Sequence, residues 1–411
     1  MSTRADAPTR GGAQDRGDRA HTRPSAPHDS SATTPLRFGY GTNGLADLRL
    51  DDALGLLADL GYDGVGLTLD HMHLDPLAPD LPARTRQLAR RLNTLGLGVT
   101  VETGARYVLD PRRKHGPSLL DPDPDDRRRR IDLLLRAVRV AADLGAHAVH
   151  CFSGITPTGT DPGTAWHRLT DALAPVLDAA TAAGVPLAVE PEPGQLLATI
   201  ADFHHLRHAL DDPEALGLTL DIGHCQCLEP LPPADCVRAA APWLRHVQVE
   251  DMRRGIHEHL PFGDGEIDFP PVLAALSATG YQGLTVVELP RHSHAGPHYA
   301  EHSLRFLRRT APGTPPLSAD SVESAEAAES ACSAEAAAPT ATASRLAQAP
   351  QAACPQPATS PASPPRPTEV PQTPRPQTPR PQPVAAPAAA PATSIAAPAK
   401  HSTTPAEGST P

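Results

Sequence analysis

No stretch of this chain is long and apolar enough to span a membrane. Its first residues are charged, without the apolar core of a signal peptide, so neither a membrane span nor a signal peptide is expected. Cysteine is scarce: Cys151, Cys225, Cys227, Cys236, Cys332 and Cys354 are the only six. They are too few and too scattered for a disulfide framework, which predicts a reduced, cytoplasmic protein. Cys225 and Cys227 have one residue between them, where zinc-binding pairs have at least two. Positive charge is also in deficit. A formal net charge of -11 disfavours a general nucleic-acid binder or a protein held on an anionic membrane. The first apolar strand is not followed by Gly-x-Gly-x-x-Gly, which counts against a dinucleotide site.

Proline is abundant. The chain has 49, many of them in its C-terminal region, where apolar periodicity is lost. Residues 312–411 are rich in Ser, Ala, Glu, Pro and Thr. They repeat Thr373-Pro374-Arg375-Pro376-Gln377 as Thr378-Pro379-Arg380-Pro381-Gln382. Such composition cannot bury a core and is expected to be a disordered, low-complexity tail, with room for a proline-reading partner. Residues 1–34, rich in Arg, Asp, Ser, Thr, Gly and Pro, are expected to be a disordered leader. The folded domain is then 35–311.

Within that domain a single unit recurs: an amphipathic helix, a break containing glycine, then an apolar strand. It is seen in Leu60-Gly61-Tyr62, Leu95-Gly96-Leu97, Leu144-Gly145-Ala146, Ala183-Gly184-Val185, Leu216-Gly217-Leu218 and Gly280-Tyr281-Gln282-Gly283. Glycine there suits a left-handed helix C-cap. With 36–40 as the first strand and 244–249 as the seventh, about eight βα units fit, as a closed (β/α)8 barrel requires. A doubly wound open sheet is the competing arrangement. Helices are predicted at 50–60, 82–95, 126–144, 165–183, 200–210, 234–240, 270–279 and 298–309. The connection over 104–125 is long and mixed in charge, which in a compact domain marks a functional or mobile loop.

In a barrel the site forms where the strands end. Those ends read Glu102, His150, Glu190, Asp221 with His224 just beyond, Gln248 and Glu288. Several carboxylates at one mouth repel, and a divalent cation is the simplest relief. Oxygen ligands with one nitrogen or amide suit Mn2+, Mg2+, Co2+ or Zn2+.

These motifs carry a resemblance. Glu190, Asp221-Ile222-Gly223-His224, Gly263-x-Gly265-x-Ile267-Asp268-Phe269 and Gly280-Tyr281-x-Gly283 leading to Glu288 make residues 36–309 similar to the xylose isomerase-like TIM-barrel superfamily, the sugar phosphate isomerase and epimerase group. The resemblance implies one divalent metal ion held by Glu190, Asp221, Gln248 and Glu288. Gln248 stands where the family usually has histidine, and His246, one pleat deeper on the same side, could substitute. It also implies a metal-dependent isomerase or epimerase of a small sugar, sugar phosphate or polyol-derived ketone. A proton moves between adjacent carbons through a stabilised enediolate, with Glu190 and Glu288 as base and acid. His150, His224, His257, His259 and Arg291 would contact substrate, with Lys114-His115 and His292-Ser293-His294 around the opening.

His257-Glu258-His259 also resembles the Asp-x-His segment of the endonuclease IV-like branch. Hence the alternatives are an endonuclease IV-like phosphodiesterase, or a non-catalytic barrel that binds a partner. The partners implied are a small carbohydrate, with neither membrane nor nucleic acid. The sequence leaves the oligomeric state open, a homo-oligomer included.

Overall fold

The computed structural model describes residues 35–313. The leader expected over 1–34 and the tail expected beyond 313 lie outside the described residues. Eight strands close into one barrel: β1 (Arg37–Gly41), β2 (Gly64–Thr68), β3 (Gly98–Glu102), β4 (Val149–Phe152), β5 (Leu187–Glu190), β6 (Leu216–Asp221), β7 (Leu244–Val249) and β10 (Leu284–Val287). They are hydrogen-bonded in the order β1-β10-β7-β6-β5-β4-β3-β2, and every pairing is parallel. The barrel, not the open sheet, is the fold. Two further strands, β8 (Asp251–Arg253) and β9 (Ile256–Leu260), form an antiparallel hairpin after β7.

Around the barrel run α1 (Leu50–Leu60), α2 (Leu81–Leu95), α3 (Pro124–Leu144), α4 (Pro162–Ala183), α5 (Ile200–Ala209), α6 (Ile222–Leu228), α7 (Pro233–Ala240), α8 (Phe269–Ala278) and α9 (Gly296–Thr310). The helix ends follow local chemistry. Asp123 and Asp161 cap α3 and α4 by accepting from backbone N–H groups, with Pro124 and Pro162 in the first turn. Thr199 and Asp202 form a capping box on α5. Gly61, Gly96, Gly145 and Gly184 all stop helices in the left-handed conformation, as their spacing predicts. Gly217 does not: α5 has already ended at Ala209, and Gly217 lies inside β6. There a Cβ would collide with Arg245 Cγ, so it is close packing that keeps residue 217 small.

The strands are buried on both faces, which is why they read as continuous apolar runs. Glu102 of β3 reaches His246 of β7 across the barrel, so those two side chains point inward. By alternation, Val101 and Val247 point out to the helices. Two buried tyrosines near the first strand differ in one respect. Tyr62 donates its hydroxyl to the Ala300 carbonyl at 2.8 Å, whereas the Tyr40 hydroxyl has no partner. Tyr62→Phe is therefore expected to cost about 1 kcal/mol, and Tyr40→Phe to leave stability unchanged or raise it. Urea denaturation of the two variants checks this, and a comparable loss in both would mean that Tyr40 also has a partner.

Candidate functional site

The strand ends open onto a cavity of about 400 Å³. Its lining includes Glu190, Glu192 and Glu288, the imidazoles of His150, His224, His257 and His259, and Arg106, Lys114 and Arg291.

Glu190 ends β5 and is the hub of the histidines. Its Oε2 lies 2.6 Å from His150 Nε2, and its Oε1 lies 3.2 Å from His224 Nδ1. Burial alone would raise the Glu190 pKa, but His150 and then His224 overcome it and hold the carboxyl well below its usual range. The same pairing acts in reverse on the imidazoles. Burial opposes charge on His224, yet Asp221, Glu190 and Glu192 push it up to about 10, and Glu190 raises His150. Glu192, two residues on, is pushed up to about 7 by burial and by the Glu190 charge.

Asp221 closes β6 and caps α6 at once: its Oδ1 accepts from the His224 N–H at 2.8 Å. That cap turns the chain sharply enough to put His224, three residues on, back over the mouth. Asp221 Oδ2 is buried without a hydrogen-bond partner.

On β7 the sequence points to Gln248 as the strand-end residue. The inward phase continues one pleat further, through His246 and Gln248 to Glu250, because the period is two. Glu250 is fully buried, and neither carboxylate oxygen has a hydrogen-bond partner. Burial first, then Asp221 and Glu288, drives its pKa well above the usual value. Gln248 sits one pleat below it, in register with Asp221, buried and with its amide oxygen unpartnered. His246, the other option, is deeper still and pairs with Glu102 at 3.2 Å. Glu288, at the end of β10, accepts a hydrogen bond from Asn43 Nδ2 at 3.0 Å. Burial, then Glu190 and Glu102, raises its pKa well above normal.

His257 and His259 alternate on β9, so both face the cavity while Glu258 approaches Arg291 at 3.9 Å. His257 Nε2 is 3.0 Å from His224 Nε2. Burial lowers both hairpin histidines, His259 to about 4. Three sets of donor atoms lie within 4.8 Å of one another: His224, His257 and His259; Asp221, Glu250, His259 and Glu288; and Glu190, Asp221 and His224. Unpartnered, buried oxygens on Asp221 and Glu250 are what a hard or borderline cation takes as ligands, so these residues fit a divalent metal.

The structure thus brings together Glu190, Asp221, Glu288, His150, His224, His257 and His259, with Arg291 at the rim. Glu192, which the sequence places at the mouth, lines the cavity; Glu250 and Asn43 also belong to the site, and sequence reasoning misses them. For Glu250 the signal is present, since Val249-Glu250-Asp251 is another apolar run ending in acid.

The long connection after β3 supplies Arg106, Tyr107, Lys114 and His115 to the cavity. It is tied down rather than loose: Arg113 bonds Asp110, Asp121 and Asp126 at 2.8, 3.0 and 2.7 Å. These groups are partly exposed and add little to global stability. Arg113→Ala is expected to leave the thermal midpoint nearly unchanged while speeding limited proteolysis within 104–123. Equal cleavage rates would mean that the loop is held elsewhere.

Among the described residues no helix is long and apolar enough to cross a membrane. A family profile described as "Xylose isomerase-like TIM barrel" matches residues 54–310. The chain is 24% identical over 284 residues to a fructoselysine 3-epimerase of Shigella flexneri, covering 67% of this chain and 99% of that protein. It is 25% identical over 239 residues to the L-ribulose-5-phosphate 3-epimerase UlaE of Escherichia coli, covering 58% of this chain and 81% of that one. Among solved structures, an L-ribulose 3-epimerase superposes with a TM-score of 0.55 at 22% identity, over 73% of this chain and 98% of its own. The IOLI protein, solved with a bound zinc atom, gives 0.54 at 16% identity, over 69% of this chain and 100% of its own.

Proposed function

We propose that this chain, which belongs to the xylose isomerase-like TIM-barrel family, is a metal-assisted epimerase of a small keto sugar or sugar phosphate. The observation that carries the reading is the pair of carboxylates, Glu190 and Glu288, lining one cavity and each gathered with Asp221 in a cluster of metal-ligand donors. The two sequence relatives described above are both named as 3-epimerases.

Epimerisation next to a carbonyl requires a proton to leave one face of a carbon and another to arrive on the opposite face. Glu190 and Glu288 end strands separated in the barrel by β6 and β7, so they approach a bound sugar from different sides. Glu190, held ionised by His150 and His224, is suited to take the proton. Glu288, raised by burial and by its carboxylate neighbours, is suited to carry one, and Asn43 fixes its orientation. In the reverse direction the roles exchange. A bound divalent cation would supply Lewis-acid polarisation of the sugar oxygens, held by Asp221 and Glu288 with Glu190 beside them. His224 and His257, joined through their Nε2 atoms, line the cavity beside the carboxylates, where sugar hydroxyls would lie. Arg106, Lys114 and Arg291 line the outer region.

Incubation with candidate ketoses in deuterium oxide, alongside metal analysis of the purified full chain, tests this. Deuterium is expected at the carbon beside the carbonyl, together with the second epimer and about one divalent metal per chain. No incorporation over a broad ketose panel would sink it.

The set of His224, His257 and His259 favours a second reading, a metal-dependent phosphodiesterase. Cleavage of an abasic-site duplex without deuterium entry into any ketose would support that reading instead.

A further inference from the structure

We infer that Glu250 and His259, and not Gln248, complete the cation site begun by Asp221 and Glu288. The inference deepens the metal-assisted reading above and rests on it.

Ligand atoms from Asp221, Glu250, His259 and Glu288 all lie within 4.8 Å of one another, as the donors around a single ion must. Glu250 is wholly buried, yet both of its oxygens lack hydrogen-bond partners. Asp221 Oδ2 and His259 Nδ1 lack them too. A buried carboxylate with nothing to bind is costly, and proteins keep one where an ion or ligand completes it. The imidazole beside Glu250 is that of His259, with Nδ1 3.6 Å from Oε1. That is contact around a shared centre, not a hydrogen bond.

The surroundings are shaped to hold Glu250 in place. At Gly223 a Cβ would collide with Glu250 Oε1, so the start of α6 leaves its space to that carboxylate. The hairpin bearing His259 is fastened by Asp251. Its Oδ1 accepts from Met252 and Ile267 N–H at 2.9 and 3.1 Å, and its Oδ2 from Gly263 N–H at 2.9 Å. Gly255 at the turn donates to the Cys227 carbonyl at 3.0 Å. His259 is thereby held at the end of β7 before any ion arrives. Gln248 lies one pleat deeper than Glu250 on the same strand, beside Asp221 in the strand register. It is also a neutral amide, a weaker ligand than either carboxylate or imidazole. The set of three carboxylates and one imidazole suits Mn2+, Fe2+, Co2+ or Zn2+.

The test uses the full chain stripped of metal and titrated with Co2+, followed by visible absorbance and by metal content after dialysis. Wild type is expected to bind one Co2+ with a d–d spectrum that includes one nitrogen ligand. Glu250→Gln and His259→Gln should each weaken Co2+ by at least about 100-fold, and Gln248→Leu should leave affinity nearly unchanged. Thermal melts of the metal-free proteins separate ligation from folding. Glu250→Gln removes a carboxylate that burial and like charge disfavour, so its metal-free midpoint should equal or exceed that of wild type while the metal-induced rise disappears. A lower metal-free midpoint with the metal-induced rise intact would make Glu250 merely structural. If Gln248→Leu loses Co2+ while Glu250→Gln keeps it, this assignment is overturned and the metal-assisted reading stands. If wild type binds no divalent cation, both fall together.

Discussion

Glu190→Gln is expected to lower kcat for epimerisation by about 10^2–10^4-fold, the range that a positioned acid or base contributes. Glutamine keeps the shape of the side chain and can still meet His150 and His224, which Glu190 now holds at 2.6 and 3.2 Å. The loss would then be chemical and not architectural, and KM should change far less than kcat. A second readout separates the two carboxylates. With only Glu288 able to move protons, one epimer should still exchange its carbon-bound hydrogen with solvent deuterium, while conversion to the other epimer stops. Glu288→Gln should give the mirror-image result. If Glu190→Gln retained kcat within tenfold, or if both exchange and conversion vanished together with KM unchanged, the two-carboxylate scheme would have to be abandoned.

The second large effect is on metal binding through Asp221. This residue does two jobs with two oxygens: Oδ1 caps α6 on the His224 N–H, and Oδ2 is buried and free to bind a cation. Asparagine caps helices about as well as aspartate, so Asp221→Asn should fold with α6 intact. It should nonetheless lose the stabilisation that metal confers on wild type. At a cation concentration a thousand times Kd that stabilisation is about 4 kcal/mol, or roughly 8–16 °C in a barrel of this size. Asp221→Ala should lose the same metal effect and about 1 kcal/mol more, for the missing cap. Chelation of wild type should reproduce the Asp221→Asn midpoint. A metal-induced shift of equal size in Asp221→Asn and wild type would remove Asp221 from the ligand set. The affinity should also climb as pH rises from acid to neutral. Glu250 and Glu288 hold protons above the usual carboxylate range, and a cation must displace them.

Several elements are legible directly from residues. The helix-glycine-strand repeat predicts the barrel, and Gly61, Gly96, Gly145 and Gly184 cap helices as that spacing requires. The repeat misleads at Gly217, because a glycine demanded by a neighbouring Arg245 side chain looks the same in sequence as one demanded by a left-handed turn. The helix at Ile222–Leu228 is hidden too: its cap, Asp221, reads only as a strand end. The hairpin at Asp251–Leu260 reads as loop, since its strands are short and β9 is half-exposed, with no apolar alternation to detect.

Sequence alone determined which segments become the strands of the barrel and which phase of each turns inward, because side chains alternate with a period of two whatever the surroundings. It therefore named Glu190, Asp221 and Glu288, each the last residue of its apolar run or the one just after it. It could not determine depth. His246, Gln248 and Glu250 share one phase, and only the closed barrel shows that the last of them, next to Glu288 in register, brings its carboxylate within 4.8 Å of Asp221 as well, while the first pairs with Glu102 below. Depth is set by the stagger between neighbouring strands and by a hairpin folding back over the mouth, and both arise from contacts between residues far apart in the chain.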